Sequence, residues 1–373
     1  MSFPWIGRLT AVEADPRRRA GTRELRPAAA DGIVHDVLMR AMVLERLGMI
    51  DERTNPLEAR HLPIPEPGPG HVLLRVLACG VCHTELDEIE GRTPPPRLPV
   101  VPGHEVVGRI ERLGAGARRH RAGDRVGVGW IHTSSGRDDE NLAPEFRATG
   151  RDVDGGYAEY MTVPEAYAFP IPDTLGDAEA APLLCAGAIG HRALRLTGLA
   201  DGQPLGLTGF GASAHLVLPL ARHLYPRSKV AVFARDAAAR TFALALGADW
   251  AGETSARAPF PLQAIIDTTP AWKPVVEALA NLAPGGRLVV NAIRKEDADK
   301  DELLRLSYHE HLWLEREIKS VANITGRDIA SFLEIAARIP IRPQVTTYPL
   351  ADANRALREL RRGGGTGAKV LVP

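Results

Sequence analysis

Three residues of this chain form a set with metal chemistry: Cys82 in GVCHTEL, His104 in PGHEVVG and Cys185 in PLLCAG. Two thiolates and an imidazole suit a zinc ion whose fourth position stays open for water or a substrate oxygen. Read singly, each residue has a plainer alternative. Cys185 lies in an Ala/Leu-rich run and could be a buried thiol, and His104 follows Pro-Gly and could be a turn residue. Cys79 and Cys82 also have CxxC spacing, which would serve a redox pair or half of a four-cysteine zinc site. No second half exists in the sequence, and Cys79 fits better as a small core residue ending an alternating strand.

A second chemical feature is the loop Gly209-Phe210-Gly211-Ala212-Ser213-Ala214, which follows the strand-like LGLT and leads into a helical run. In a Rossmann unit the first glycine permits the tight turn, the second lets backbone approach a pyrophosphate, and a small third residue keeps helix and strand close. The helix N-terminus then attracts the phosphates. Alone, such a loop could be an ordinary turn; its place between strand and helix points to a dinucleotide. Phe233 ends the next strand, where an acid commonly meets the adenosine ribose of NAD. Arg235 follows, and its guanidinium could pair with the 2′-phosphate of NADP or be a solvated neighbour of a helix cap. NAD or NADP stays open.

These groups need elements to hold them. The 373 residues suggest two domains of ordinary size, and 36 glycines with 30 prolines imply many turns. From about 42 to 170 the pattern is short strands with glycine punctuation: HVLLRV, EVVGRIERLG, DRVGVGWI and GYAEYMTV. That fits a β-rich, barrel-like domain. LGDAEAAPLLCAGAIGHRALR, from 175, reads as helix. From about 190, strands (LGLTG, VAVFA, AIIDTT, RLVVNA) alternate with helices (SAHLVLPLARHL, AAARTFALALGA, WKPVVEALANL), the signature of a parallel sheet. Near the end come the helical IASFLEIAARI, QVTTYPL, the helical ADANRALRELRRGG, and KVLV, expected as a strand returning to the first domain.

The fold class is therefore α/β, a Rossmann parallel-sheet cofactor domain joined to a β-rich catalytic domain. The expected divisions are an N-terminal extension over 1–38, a catalytic domain over 39–185, a cofactor domain over 186–324 and a returning segment over 325–373. The Arg/Ala/Pro-rich extension reads as a loosely packed tail, and Met39 or Met42 could be the start. With 46 basic and 46 acidic residues, composition gives no argument for nucleic acid or an anionic membrane surface. No apolar run approaches the ~18 residues of a membrane span. Three cysteines without a disulfide framework make a reducing cytoplasm the expected location.

Over nearly all of residues 40–373 the chain resembles the medium-chain, zinc-dependent alcohol dehydrogenases, most closely the bacterial propanol-preferring type. The match runs through ACGVCHTELDEIEG, LPVVPGHEVVGRIERLGAGARRHRAGDRVGVGWIH, DVDGGYAEYMTVPEAYAFPIPDTLGDAEAAPLLCAGAIGHRAL and GFGASA. The resemblance implies a GroES-like catalytic domain and places one catalytic zinc on Cys82, His104 and Cys185, with Glu105 behind it as an alternate ligand. It makes Thr84 the hydroxyl that meets the substrate oxygen and His83 a basic residue reaching the cofactor phosphates. Trp130 and Ile131 fall near an apolar substrate pocket. The implied activity is reversible hydride transfer between a primary or small apolar alcohol and NAD(P)+, by a homodimer or homotetramer acting on an alcohol or aldehyde. Rival readings are a zinc-free quinone or enoyl reductase of the same superfamily and a non-catalytic NAD(P)-binding protein.

Three departures from the family pattern stand out. The lobe after GVGWIH, which often carries a second zinc on four cysteines, is here the shortened, cysteine-free TSSGRDDENLAPEF. Ser135 and Ala143 hold the outer ligand places, so a structural four-cysteine zinc is excluded and a mobile or remodelled loop is expected. Asp87 stands where many members relay the proton through histidine; with a reference pKa near 3.9 it is a poorer relay unless burial raises it. Glu85 replaces a shorter Asp, and its extra methylene could disturb a contact to a zinc ligand.

Overall fold

The computed structural model describes residues 38–211, 213–339, 341–363 and 367–373. The N-terminal extension, Leu38 apart, and Ala212 of the glycine loop lie outside the described residues.

One sheet has six strands, every pairing parallel. Leu205–Thr208 lies between Val230–Phe233 and Leu262–Asp267; Trp250–Gly252 extends the first side, and Leu282–Val290 then Glu317–Ser320 extend the second. The central LGLT and VAVF are buried at every residue, so they read as unbroken apolar runs rather than alternations. Two strands escape the periodicity. Trp250–Gly252 has three residues, and Glu317–Ser320 is an exposed edge strand, EIKS, with no apolar face.

The other large sheet has seven strands. Its path runs Val345–Pro349, Ala368–Val372, His71–Val81, Val106–Leu113, Arg125–Val128 and Phe169–Pro170, with Tyr160–Pro164 also pairing to His71–Val81. The C-terminal strand Ala368–Val372 pairs antiparallel with His71–Val81, so the last residues close the sheet that carries Cys79. A two-stranded sheet, Leu38–Leu44 with Leu57–Pro63, packs beside it.

The 175–195 segment differs from a single helix. It divides into Asp177–Ala180, a 3-10 turn Ala181–Leu184 and the helix Ala186–Leu196. The break falls on Cys185, whose φ of −122° and ψ of −75° leave helical space. Pro182, with no N–H to give, favours the tighter turn before it.

The cysteine-free lobe is remodelled around a carboxylate. Glu140, only 4% exposed, accepts hydrogen bonds from the Gly326 N–H (2.7 Å), the Tyr167 hydroxyl (2.8 Å) and the Gly136 N–H (3.2 Å). Next to it Asn141 donates to the Ala322 carbonyl and accepts from Arg192. Arg192 and Arg195 both bind Asp328, which with Thr325 forms the capping box of helix Gly326–Ala336. The lobe is thereby fastened to a helix N-terminus, where a carboxylate is stabilised by free N–H groups. No helix among the described residues is long and apolar enough to cross a membrane.

Candidate active site

Strand His71–Val81 delivers the chain to Cys82, the N-cap of the short helix His83–Ile89. The helix places Glu85 at its third position, where one carboxylate oxygen accepts the Cys82 N–H at 2.8 Å. The other oxygen accepts the His104 Nδ1–H at 2.6 Å. Glu85 is wholly buried and His104 nearly so, so one side chain orients two candidate ligands. The longer acid does not disturb this arrangement; it spans it.

With Nδ1 committed to Glu85, Nε2 of His104 faces the cluster, and it is buried without a hydrogen-bond partner among the described residues. Donor atoms of Cys82, His104, Glu105 and Cys185 all lie within 4.8 Å of one another. The two sulfurs are 4.0 Å apart; sulfurs each about 2.3 Å from a tetrahedral zinc would stand roughly 3.8 Å apart. The unpartnered imidazole nitrogen, the sulfur spacing and the soft donor set all fit a zinc ion. Glu105 approaches from behind, through space that only a glycine leaves open. A Cβ at Gly80 would meet its carboxylate at 1.7 Å.

The four donors of the cluster are shifted in different directions. The Cys82 thiol is held well below the usual range, chiefly by hydrogen bonding from Cys185, with His104 adding to the effect against burial. Cys185, the donor of that bond, is correspondingly raised, and burial adds to this. Burial pulls His104 down, but the Glu85 charge overrides it and holds the imidazole well above its ordinary value. Burial pushes the Glu105 carboxyl well up, and the neighbouring Cys82 charge pushes the same way. Metal binding displaces such protons from thiol and imidazole.

Thr84 is 8% exposed, with Oγ1 3.7 Å from Cys82 Sγ; His83 beside it is exposed. The half-buried Trp130 ring sits 6.3 Å from the His104 ring and 5.7 Å from Phe146. Its indole N–H donates to Glu88 at 3.2 Å. Ile131 belongs to the core at 0% exposure, so it presents no surface to a substrate. Asp87 is not a free base. It is 3% exposed, and its Oδ1 accepts from both Arg92 Nε and Arg294 Nε at 2.6 Å. Arg294 comes from the loop after strand Leu282–Val290, so this pair ties helix His83–Ile89 to the parallel sheet.

The glycine loop lies at the carboxyl end of the central strand, where the strand order changes direction. Gly209 has φ +79°, and a Cβ there would meet Thr268 Oγ1 at 2.8 Å. Phe210 is half-buried against Phe242, Gly211 is exposed, Ser213 caps helix Ala214–Leu224 without a side-chain hydrogen bond, and Ala214 is buried. A helix start with no side-chain cap, behind the exposed Gly211, fits a pyrophosphate. Phe233 is 0% exposed, and its ring packs edge-on to Trp250 at 5.3 Å. Arg235 remains available, its side chain 91% exposed. Arg240, missed in the sequence, braces this turn by donating to the Ala234 and Arg235 carbonyls. Also missed were Glu88, Arg92 and Arg294; only Glu88, one helical turn from Thr84, carried a spacing signal.

A doubly covered parallel sheet with a glycine loop at its switch point, beside a two-thiolate, one-imidazole cluster on a β-rich sheet, defines a medium-chain dehydrogenase/reductase. Residues 68–173 match the alcohol dehydrogenase GroES-like domain. The chain is 42% identical over 346 residues to a probable alcohol dehydrogenase, AdhA, of Mycobacterium tuberculosis, covering 90% of this chain and 97% of that one. It is 31% identical over 341 residues to an alcohol dehydrogenase of Geobacillus stearothermophilus, covering 87% and 98%. A solved structure of a putative zinc-binding dehydrogenase from Sinorhizobium meliloti, bound to NADP, superposes with a TM-score of 0.78 at 25% identity, covering 90% and 99%. The chain belongs to the zinc-dependent alcohol dehydrogenase family of that superfamily, an NAD(P)-dependent group of enzymes.

Proposed function

We propose that Cys82, His104 and Cys185 hold one catalytic zinc per chain, with Glu105 as its alternate ligand, and that the enzyme interconverts a primary or small apolar alcohol with its aldehyde or ketone. The observation that carries this reading is the convergence of the four donors around a buried, unpartnered His104 Nε2. When bound, zinc supplies Lewis acidity toward the substrate oxygen, and the oxidised nicotinamide supplies the hydride acceptor.

The chain's own residues do the rest. Thr84 Oγ1 accepts the substrate hydroxyl proton as it gives up its own toward the cofactor ribose or water. Glu85 fixes the ring of His104 and the backbone of Cys82. Trp130 shapes the pocket wall and excludes water. Asp87 acts as a positioning residue that fixes Arg294, in place of a relay. The loop Gly209 to Ala214 holds the pyrophosphate, and Arg235 faces the adenosine ribose, favouring NADP over NAD.

In this reading the catalytic segments 39–185 and 325–373 enclose the cofactor segment 186–324. A homodimer or homotetramer would form along the exposed edge strand Glu317–Ser320, near which Trp313, Leu314 and Ile318 are exposed. Two thiol ligands suit a reducing cytoplasm. The test is to assay zinc-loaded wild type and Cys82→Ser on primary alcohols with NAD+ and NADP+. Loss of turnover in the variant supports the reading, and equal activity in both proteins contradicts it.

A further inference from the structure

Trp130 stands beside the donor cluster and is fixed at both its backbone and its ring. It lies in the short link between strands Arg125–Val128 and Ile131–Thr133, and its carbonyl accepts the Thr149 N–H at 2.7 Å. The preceding Gly129 packs closely enough that a Cβ there would stand 3.0 Å from the carbonyl oxygen of Leu184, the neighbour of Cys185. The backbone is thereby set against one candidate ligand. The ring lies beside another, its centroid 6.3 Å from that of His104 at a tilt of 58°.

The indole edge is held by Glu88, whose Oε1 accepts the Trp130 N–H at 3.2 Å. Glu88 is 1% exposed. Among the described residues its carboxyl makes this one hydrogen bond and no ion pair. Burying a carboxyl against a single neutral donor is unfavourable, because its other lone pairs lose water without replacement. An apolar side chain would serve stability better at this place. What the carboxyl supplies is direction. An indole turns about two side-chain torsions, and an acceptor on its N–H selects one orientation.

That orientation bears on what shares the helix face. Glu88 and Thr84 are four residues apart on helix His83–Ile89 and so lie on one face, about one turn apart. Thr84 Oγ1 lies 3.7 Å from Cys82 Sγ. An alcohol whose oxygen meets Thr84 at the cluster would run its first carbons along the ring that Glu88 holds. An unbranched chain can lie flat against such a ring. Branching at the carbon next to the reacting one needs the ring to turn aside.

We propose that Glu88 is a positioning residue for substrate selection: by fixing the Trp130 indole it makes the enzyme prefer unbranched primary alcohols to those branched next to the reacting carbon. This rests on the alcohol dehydrogenase reading above and narrows its substrate class.

The test takes the ratio of kcat/KM for propan-1-ol to that for 2,2-dimethylpropan-1-ol with zinc-loaded enzyme. Glu88→Leu keeps the bulk and removes the acceptor, whereas Glu88→Gln keeps an acceptor. The ratio is expected to fall about tenfold in Glu88→Leu, mainly through a lower KM for the branched alcohol. It should return toward wild type in Glu88→Gln, a rescue that a packing role alone would not give. Trp130→Phe keeps a ring without the N–H, so it should lower the ratio likewise and make Glu88→Leu and Glu88→Gln equivalent in its background. It also decides the matter should Glu88→Leu fail to fold. A ratio unchanged in Glu88→Leu or in Trp130→Phe, or lost equally in Glu88→Leu and Glu88→Gln, would overturn the proposal and leave the alcohol dehydrogenase reading standing. No turnover of any alcohol with either cofactor would overturn both.

Discussion

Glu85 shows what one methylene does at the residue scale. From its place on the helix it reaches Cys82 N–H with one oxygen and His104 Nδ1 with the other, so its loss disorients two ligands together. Removing such a partner commonly costs 10–100-fold in metal affinity. Glu85→Ala is expected to weaken zinc binding by at least that range in a chelator competition, while Asp87→Asn is not. At the ribose end, Arg235→Ala should raise the KM for NADP+ by about tenfold and leave that for NAD+ nearly unchanged, one charge-assisted pair to the 2′-phosphate being lost. The convergence of Cys82, His104 and Cys185 was legible because a long family resemblance embeds them; the surroundings of Asp87 and Phe233 were not. Asp87 is neutralised by Arg294, 207 positions away, and the direction of the Phe233 ring depends on packing against Trp250, which strand position alone does not set.

At the scale of elements, the lobe around Glu140 carries the stability argument. Three donors converge on one buried carboxylate, and hydrogen bonds to a charged group contribute about 1.5–3 kcal/mol. Glu140→Gln should lower the denaturation midpoint by a destabilisation of that order, and added zinc should not restore it. Burial and Glu140 together push the Tyr167 hydroxyl up to about 12. The absence of cysteines made a second zinc impossible to expect here, but the replacement fastening joins Glu140 to Gly326 and was invisible without the fold.

His132 supplies a pH test of the strand Ile131–Thr133. Burial, reinforced by the charges of His71 and Arg147, draws it down to about 4 from 6.5. Below the unfolded value of about 6.5 the unfolded chain takes a proton that the folded chain refuses. Stability therefore falls as pH drops from about 6.5 to about 4 and changes no further from this group below that. The full effect is about 3 kcal/mol for a side chain 7% exposed. His132→Asn should flatten that slope in urea midpoints measured across the interval.

Across the whole molecule, the α/β alternation and the glycine loop made the parallel sheet legible, because buried parallel strands announce themselves as short apolar runs between helices. The exposed edge strand Glu317–Ser320 gave no such signal. Neither did the ion-pair path from Arg361 through Glu90 and Arg92 to Asp87 and Arg294, which links the C-terminal helix to the cofactor sheet. Such links arise only when distant segments meet.

The central claim is one zinc per chain on two sulfurs and one imidazole, and zinc-edge X-ray absorption on the purified enzyme tests it most directly. The account predicts about one zinc per chain with two Zn–S contacts near 2.3 Å, falling to one or to loss of the metal in Cys185→Ser. A chain that takes up no stoichiometric zinc, or a sulfur count that Cys185→Ser leaves unchanged, would contradict it.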